Sequence, residues 1–285
     1  MAESPVWLIT GASSGIGLAM LKHALSRGAR VVAALRKPDV LAPLAHAYPS
    51  TQLLLAAVDV TSLETIHAVF ALVQDHFGRL DVVFNNAGLG VVAEIESPDG
   101  MDYARKCFDV NVWGALEVSR AAVRFFREVN PPGVGGRLIQ SGSKTGIQAI
   151  PCIGFYSASK YALEGFTEAL ASELQPEWAI KITIVQFGDF ESKIAENSLF
   201  GAVPSAYIDE TTGTPSTRVY LSQRTSTANK AEDAADRVWK LAQLETPPLR
   251  LVLGADAVRV MREKIAVLND TVDTYESWSD NMLSG

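Results

Sequence analysis

Tyr156 and Lys160 stand four residues apart in the run Phe155-Tyr156-Ser157-Ala158-Ser159-Lys160-Tyr161. On a helix such a pair shares one face, and an ammonium beside a phenol favours the phenolate, lowering a pKa that is ordinarily about 10. A tyrosine tuned in this way passes a proton near neutral pH. Taken alone, the spacing is equally that of an amphipathic helix edge, so the chemistry needs support elsewhere in the chain. The run Gly11-Ala12-Ser13-Ser14-Gly15-Ile16-Gly17 offers it. Glycines there follow the short apolar run Val6-Trp7-Leu8-Ile9 and precede Leu18, Met20, Leu21, Ala24 and Leu25 at helical spacing. Bare backbone at the start of a helix lets a pyrophosphate approach and aims N–H groups at it. The spacing differs from the GxGxxG fingerprint, and such a turn also serves tight packing.

These residues need a scaffold, and the hydrophobic pattern supplies one. Buried strands are predicted over 30–35, 52–58, 80–84, 136–140, 180–186 and 249–253, and they alternate with helices. One helix starts at a cap on Thr61 or Ser62 and is stopped by Gly78; a long helical region over 101–129 is stopped by Asn130-Pro131-Pro132-Gly133. Later helices are expected around Tyr156, over 231–244 and over 255–275. Such alternation gives an α/β, doubly wound parallel sheet of about seven strands with helices on both faces, a Rossmann fold. A single domain over 1–285 is expected, with the polar segment 189–230 inserted as a substrate-binding lid.

With 48% apolar and 20% charged residues and a net charge of −7, the chain reads as a globular protein with a large core. The acidic balance disfavours a nucleic-acid or anionic-membrane surface. Cys107 and Cys152 form no CxxC spacing, and His23, His46, His67 and His76 show no metal-ligand pairing, so no metal is expected. Neither a leader nor an apolar run of membrane-spanning length is evident, which points to a cytoplasmic protein.

The ordered set Thr10-Gly11-Ala12-Ser13-Ser14-Gly15-Ile16-Gly17, Asn85-Asn86-Ala87-Gly88, Asn111, Ser143, Tyr156 and Lys160 resembles the short-chain dehydrogenase/reductase family, from Val6 to about Leu253. The resemblance implies that Tyr156 is the general acid and base and that Lys160 lowers its pKa and hydrogen-bonds the nicotinamide ribose. It further implies that Ser143 donates to the substrate oxygen and that Asn111 holds a water linking Lys160 to solvent. Ser141 is a rival for the serine role. Asp59 and Val60 would lie along the adenine, Asn85, Ala87 and Gly88 would floor the cofactor site, and Gly188 and Ser192 would approach the nicotinamide. Where the family has Pro-Gly, this chain has Phe187-Gly188, which removes the φ restriction of proline.

At the end of the second strand an acid would repel a 2′-phosphate. Leu35 stands there, followed by Arg36 and Lys37, so NADP(H) is the expected cofactor. Ile194, Leu199, Phe200, Val203, Tyr207, Tyr220 and Leu221 in the lid segment suit a medium-sized, largely apolar small-molecule substrate, with Gln148, Ile150, Cys152 and Ile153 as further pocket candidates. The leading expectation is an NADPH-dependent carbonyl reductase or alcohol dehydrogenase. A non-redox isomerase or cyclase of the same fold and a dinucleotide-sensing regulator are the alternatives. Family resemblance also implies a homodimer or homotetramer through the helices around Trp113 and Phe166.

Overall fold

The structure is a computed structural model and describes residues 4–209, 213–223 and 229–280. Seven parallel strands form its central sheet: β1 (Val6–Thr10), β2 (Arg30–Leu35), β3 (Leu53–Ala57), β4 (Val82–Asn85), β6 (Gly136–Ser143), β7 (Ile180–Phe187) and β9 (Arg250–Leu253). Their order is β3-β2-β1-β4-β6-β7-β9. The chain therefore leaves β1 in both directions, and the crevice between β1 and β4 opens at the carboxyl ends of the strands, where ligands bind in sheets of this kind. The expected doubly wound sheet is present.

Period-two side-chain alternation splits the core into two layers. Trp7 and Ile9 of β1 face α1 (Gly15–Ser26) and α8 (Ala231–Leu241), where they meet Met20, Leu21, Ala234 and Val238. Val6 and Leu8 face the other way, toward Ile66, Val69 and Phe70 of α3 (Leu63–Phe77) and Val118 and Phe126 of α5 (Ala115–Glu128). Ser62 caps α3 by accepting the Thr65 N–H, and Gly78 ends it in the left-handed conformation at φ 68°. These are the stops that the sequence indicated.

Two elements depart from the expected pattern. The helical region over 101–129 is broken into α4 (Gly100–Phe108), a π-helical turn over Asp109–Gly114, and α5. Gly114 sits against the Val60 carbonyl, where a Cβ would stand 2.5 Å from the oxygen. The described residues between β7 and α8 also hold regular elements that their composition does not suggest. They include β8 (Leu199–Phe200), paired with β5 (Val91–Val92) in a small separate sheet, and α7 (Gly213–Gln223). Neither two-residue strand has enough length for an alternating pattern, which is why periodicity cannot reveal them. Of the lid residues named from sequence, the side chains of Tyr220 and Leu221 lie outside the described set. A short helix α2 (Ala42–Ala45), the helix α6 (Gly154–Glu173) carrying Tyr156, and the C-terminal helix α9 (Ala255–Tyr275) complete the chain. Among the described residues, no helix is long and apolar enough to cross a membrane.

Candidate active site

The glycine turn is built where β1 ends and α1 begins. Gly15 adopts φ 53°, a left-handed conformation in which side chains are strained, and a Cβ there would stand 2.9 Å from Ser192. A Cβ on Gly17 would run into the Gly11 carbonyl. The turn is pinned from β4: the Thr10 hydroxyl donates to Asn85 Oδ1 and accepts the backbone N–H groups of Asn86 (2.8 Å) and Ala87 (3.0 Å). Asn86 Nδ2 donates back to the carbonyls of Thr10 (3.1 Å) and Gly11 (3.4 Å).

From this turn a cavity of about 560 Å³ runs past Leu35, Arg36, Asp59 and Val60 and reaches Ser143, Tyr156 and Lys160. Asp59 accepts both the N–H and the hydroxyl of Thr61, and these bonds, with Arg36 nearby, hold its carboxyl below the usual range. At the far end Lys160 is buried, and its ammonium donates to the Ser141 carbonyl at 2.7 Å while lying 5.6 Å from the centre of the Tyr156 ring. Burial pulls Lys160 down to about 8, against the opposing pull of Cys107 and Glu164. The helical spacing i, i+4 thus does bring the pair together. Glu164, one turn further along α6, is itself pushed up by burial and is held by Gln186 and Arg250.

Asn111 lies in the π-helical turn, a feature frequent at functional sites. Its Oδ1 accepts the Leu89 N–H (2.8 Å), and its Nδ2 donates to the Leu89 carbonyl (2.9 Å) and to Ser159 Oγ (3.0 Å). The carboxamide braces the wall beside Lys160: a Cβ on Gly88 would stand 3.5 Å from Asn111 Oδ1 and 3.9 Å from Lys160 Nζ. Ser143 ends β6 and accepts from Thr145 N (3.2 Å) and Oγ1 (3.0 Å). Ser141 also lines the cavity, but its carbonyl is the anchor of Lys160.

Of the residues named from sequence, Gly11, Ser13, Ser14, Gly15, Ile16, Arg36, Asp59, Val60, Ala87, Gly88, Ser143, Tyr156, Lys160, Gly188 and Ser192 line the cavity. Gly17, Lys37, Asn85 and Asn111 do not. Asn85 is buried, and its Nδ2 is spent on the Ala115 carbonyl, so it ties β4 to α5. Ser192 lies against Gly15, at the glycine-turn end. Leu35 is 3% exposed and packs in the core, which leaves Arg36 as the cationic group at that wall.

Asn86, inside the Asn85-Asn86-Ala87-Gly88 motif, also lines the cavity, as do Leu89 to Val92, whose short apolar run carries no signal of a site. Lys144 lines the cavity too, and its sequence context does not mark it. It pairs with Asp189 (2.8 Å) and Asp256 (2.9 Å), and those hydrogen bonds outweigh burial and raise its pKa. Asp256 also accepts the Asp189 N–H at 2.9 Å, so the loop after β7 is fastened to the start of α9 without a proline. Phe187 packs edge-on against Phe190 with ring centres 5.7 Å apart. Lys144 stands 45 and 112 positions from its two partners, so no local signal marks that clasp.

A glycine-bounded cradle at a helix start, continuous with a buried lysine beside a tyrosine, fits a phosphate-bearing dinucleotide at one end and proton transfer at the other. Among the described residues, no group of three His, Cys, Asp or Glu is placed to hold a metal.

The short-chain dehydrogenase family model matches residues 5–199. The chain belongs to that family and is an oxidoreductase of it. It is 36% identical over 276 residues to an oxidoreductase of Schizosaccharomyces pombe, covering 96% of this chain and 90% of that one. An oxidoreductase of Botryotinia fuckeliana is 31% identical over 276 residues, covering 96% and 97%. The crystal structure of a short-chain dehydrogenase from Streptomyces avermitilis superposes with a TM-score of 0.87 at 32% identity, covering 98% of each chain.

Proposed function

We propose that the protein is an NADPH-dependent carbonyl reductase, reversible as an alcohol dehydrogenase, acting on a medium-sized, largely apolar ketone or secondary alcohol. The observation that carries this reading is the convergence of the glycine turn and the Tyr156–Lys160 pair in one cavity. Tyr156 gives its proton to the carbonyl oxygen in reduction and takes it back in oxidation. Lys160, while charged, stabilises the phenolate that remains. Ser143 Oγ holds the substrate oxygen, and Asn111 keeps the wall beside Lys160 in place through Leu89 and Ser159. The hydride would be supplied or accepted by a nicotinamide dinucleotide when one is bound.

Gly11, Ser13, Ser14, Gly15 and Ile16 would hold its phosphates and Asp59 and Val60 its adenine. NADP over NAD is favoured by the Arg36 guanidinium at the adenosine end and by the lack of a carboxylate at Leu35. The 189–230 segment would act as the lid: Ile194, Ala195, Asn197, Ser198 and Thr217 face the same cavity as Tyr156. Trp113, 58% exposed, and the half-buried Phe166 of α6 support a homodimer or homotetramer through the helices around them.

The test is cofactor oxidation with NADPH and with NADH against a panel of ketones and aldehydes, with Tyr156→Phe as control. Turnover with NADPH preferred, falling by roughly 10²-fold or more in Tyr156→Phe with NADPH binding retained, is expected. Tight NADPH binding without turnover of any carbonyl would sink the reading.

A further inference from the structure

Helix α9 runs for 21 residues after the last strand, about 30 Å at ~1.5 Å per residue. Ala257 is its only fully buried residue among those described, and every described residue from Ile265 to Asp280 is exposed. Polar helices can stand free in this way, but this one carries Val258, Met261, Ile265, Leu268, Val272 and Tyr275 at alternating steps of three and four. That is the 3.5-residue repeat of a helix–helix seam sustained through three heptads, not the 3.6 repeat of a helix lying on a globular core. Val272 is 60% exposed, and Tyr275 meets Trp278 edge-on at 5.2 Å at the seam's far end. A helical arm with so little packing is marginal by itself, so something covers the seam.

The charges beside the seam say what. Arg262 and Lys264 flank its first half and Glu276 its far end, at the e and g positions that meet a partner helix, while Arg259, Glu263, Asp270 and Asp273 stand on the outer face, where Arg259 lies 3.9 Å from Glu263. One helix reversed on an identical one brings Arg262 to the partner's Glu276 at both ends, whereas parallel pairing sets each of these charges on its own copy. The acidic half also opposes an anionic membrane. We propose that α9 is a self-association arm that pairs antiparallel with α9 of a second copy of this chain. Reversal about a two-fold axis near Asp270 layers Ile265 on the partner's Tyr275 and Leu268 on the partner's Val272, and it sets Arg262 beside the partner's Glu276. The globular bodies then lie at opposite ends of the pair, clear of each other. The arm is separate from the surface around Trp113 and does not depend on the activity proposed above.

Sedimentation velocity on the full chain across protein concentrations tests it, with circular dichroism to verify folding. Ile265→Glu/Leu268→Glu should halve the mass of the assembly, and NADPH binding should be kept. Arg262→Glu should weaken association at least tenfold, and Arg262→Glu/Glu276→Arg should restore it, since the swap re-forms the pair only in the reversed arrangement. A wild-type monomer, an unchanged mass in the Ile265→Glu/Leu268→Glu protein, or no recovery in the charge swap would overturn the proposal. So would flotation of the wild-type chain, and not of that double variant, with phosphatidylserine/phosphatidylcholine vesicles, which would give the seam to a membrane.

Discussion

Lys160 enters the fold at a cost, because its ammonium is buried and burial draws it from 10.5 to about 8. The sign of two pH effects follows. Below about 8 the folded protein carries a desolvated cation. Between about 8 and 10.5 the unfolded chain binds the proton more tightly than the fold does, so the Lys160 contribution to stability improves as pH rises through that window. In the proposed mechanism the activity moves oppositely, because loss of the charge would remove the pull on Tyr156. We therefore expect kcat/KM for reduction to decline with pH through about 8, and Lys160→Met to abolish turnover while flattening the pH dependence of stability over the same window. A wild-type profile that stays level from pH 7 to 10 would count against a catalytic Lys160.

At the scale of elements, α7 carries an ion pair that ties it to the body. Arg218 donates from Nε (2.8 Å) and Nη2 (2.6 Å) to Glu94, whose side chain is only 1% exposed, just beyond β5. Those bonds outweigh burial and hold the Glu94 carboxyl below its ordinary 4.5. Its stabilising contribution is thus present above that value and lost as pH falls through the lowered one. Thr217, the neighbour of Arg218, lines the cavity beside the Tyr156 end. Arg218→Ala leaves a buried carboxylate without its cation. The expected result is a several-fold rise in KM for the carbonyl substrate, little change in KM for NADPH, and faster proteolytic cleavage within 213–223. Equal effects on both KM values would show that α7 does not serve the substrate side.

Across the whole molecule, the sheet binds the two ends of the chain together. Helix α8, late in sequence, closes the layer begun by β1 and α1: Trp239 stacks on the fully buried Trp7 with ring centres 5.4 Å apart, and Leu241 is 3% exposed in the same cluster. Leu241→Ala, remote from the cavity, should cost about 2–5 kcal/mol of stability. That is readable as a lower urea midpoint, and kcat/KM at 25 °C should be unaltered. A matching loss of kcat/KM would mean that this layer also positions the site.

How far the sequence alone went depends on the range of the interactions that set each feature. The strand runs, the glycine turn, the Ser62 and Gly78 helix stops and the Tyr156–Lys160 face are fixed within a few residues by period, caps and backbone freedom, so they could be read from the chain. The π-helical turn that aims Asn111 at Leu89, the Lys144 clasp on Asp189 and Asp256, and the pairing of β5 with β8 join residues from about 20 to more than 100 positions apart. No local period encodes them. The burial that brings Lys160 to about 8 is likewise a property of the packed interior. Sequence determined which residues could do the chemistry; only the tertiary structure decided which of them meet the cavity and which, like Asn85 and Asn111, hold its walls.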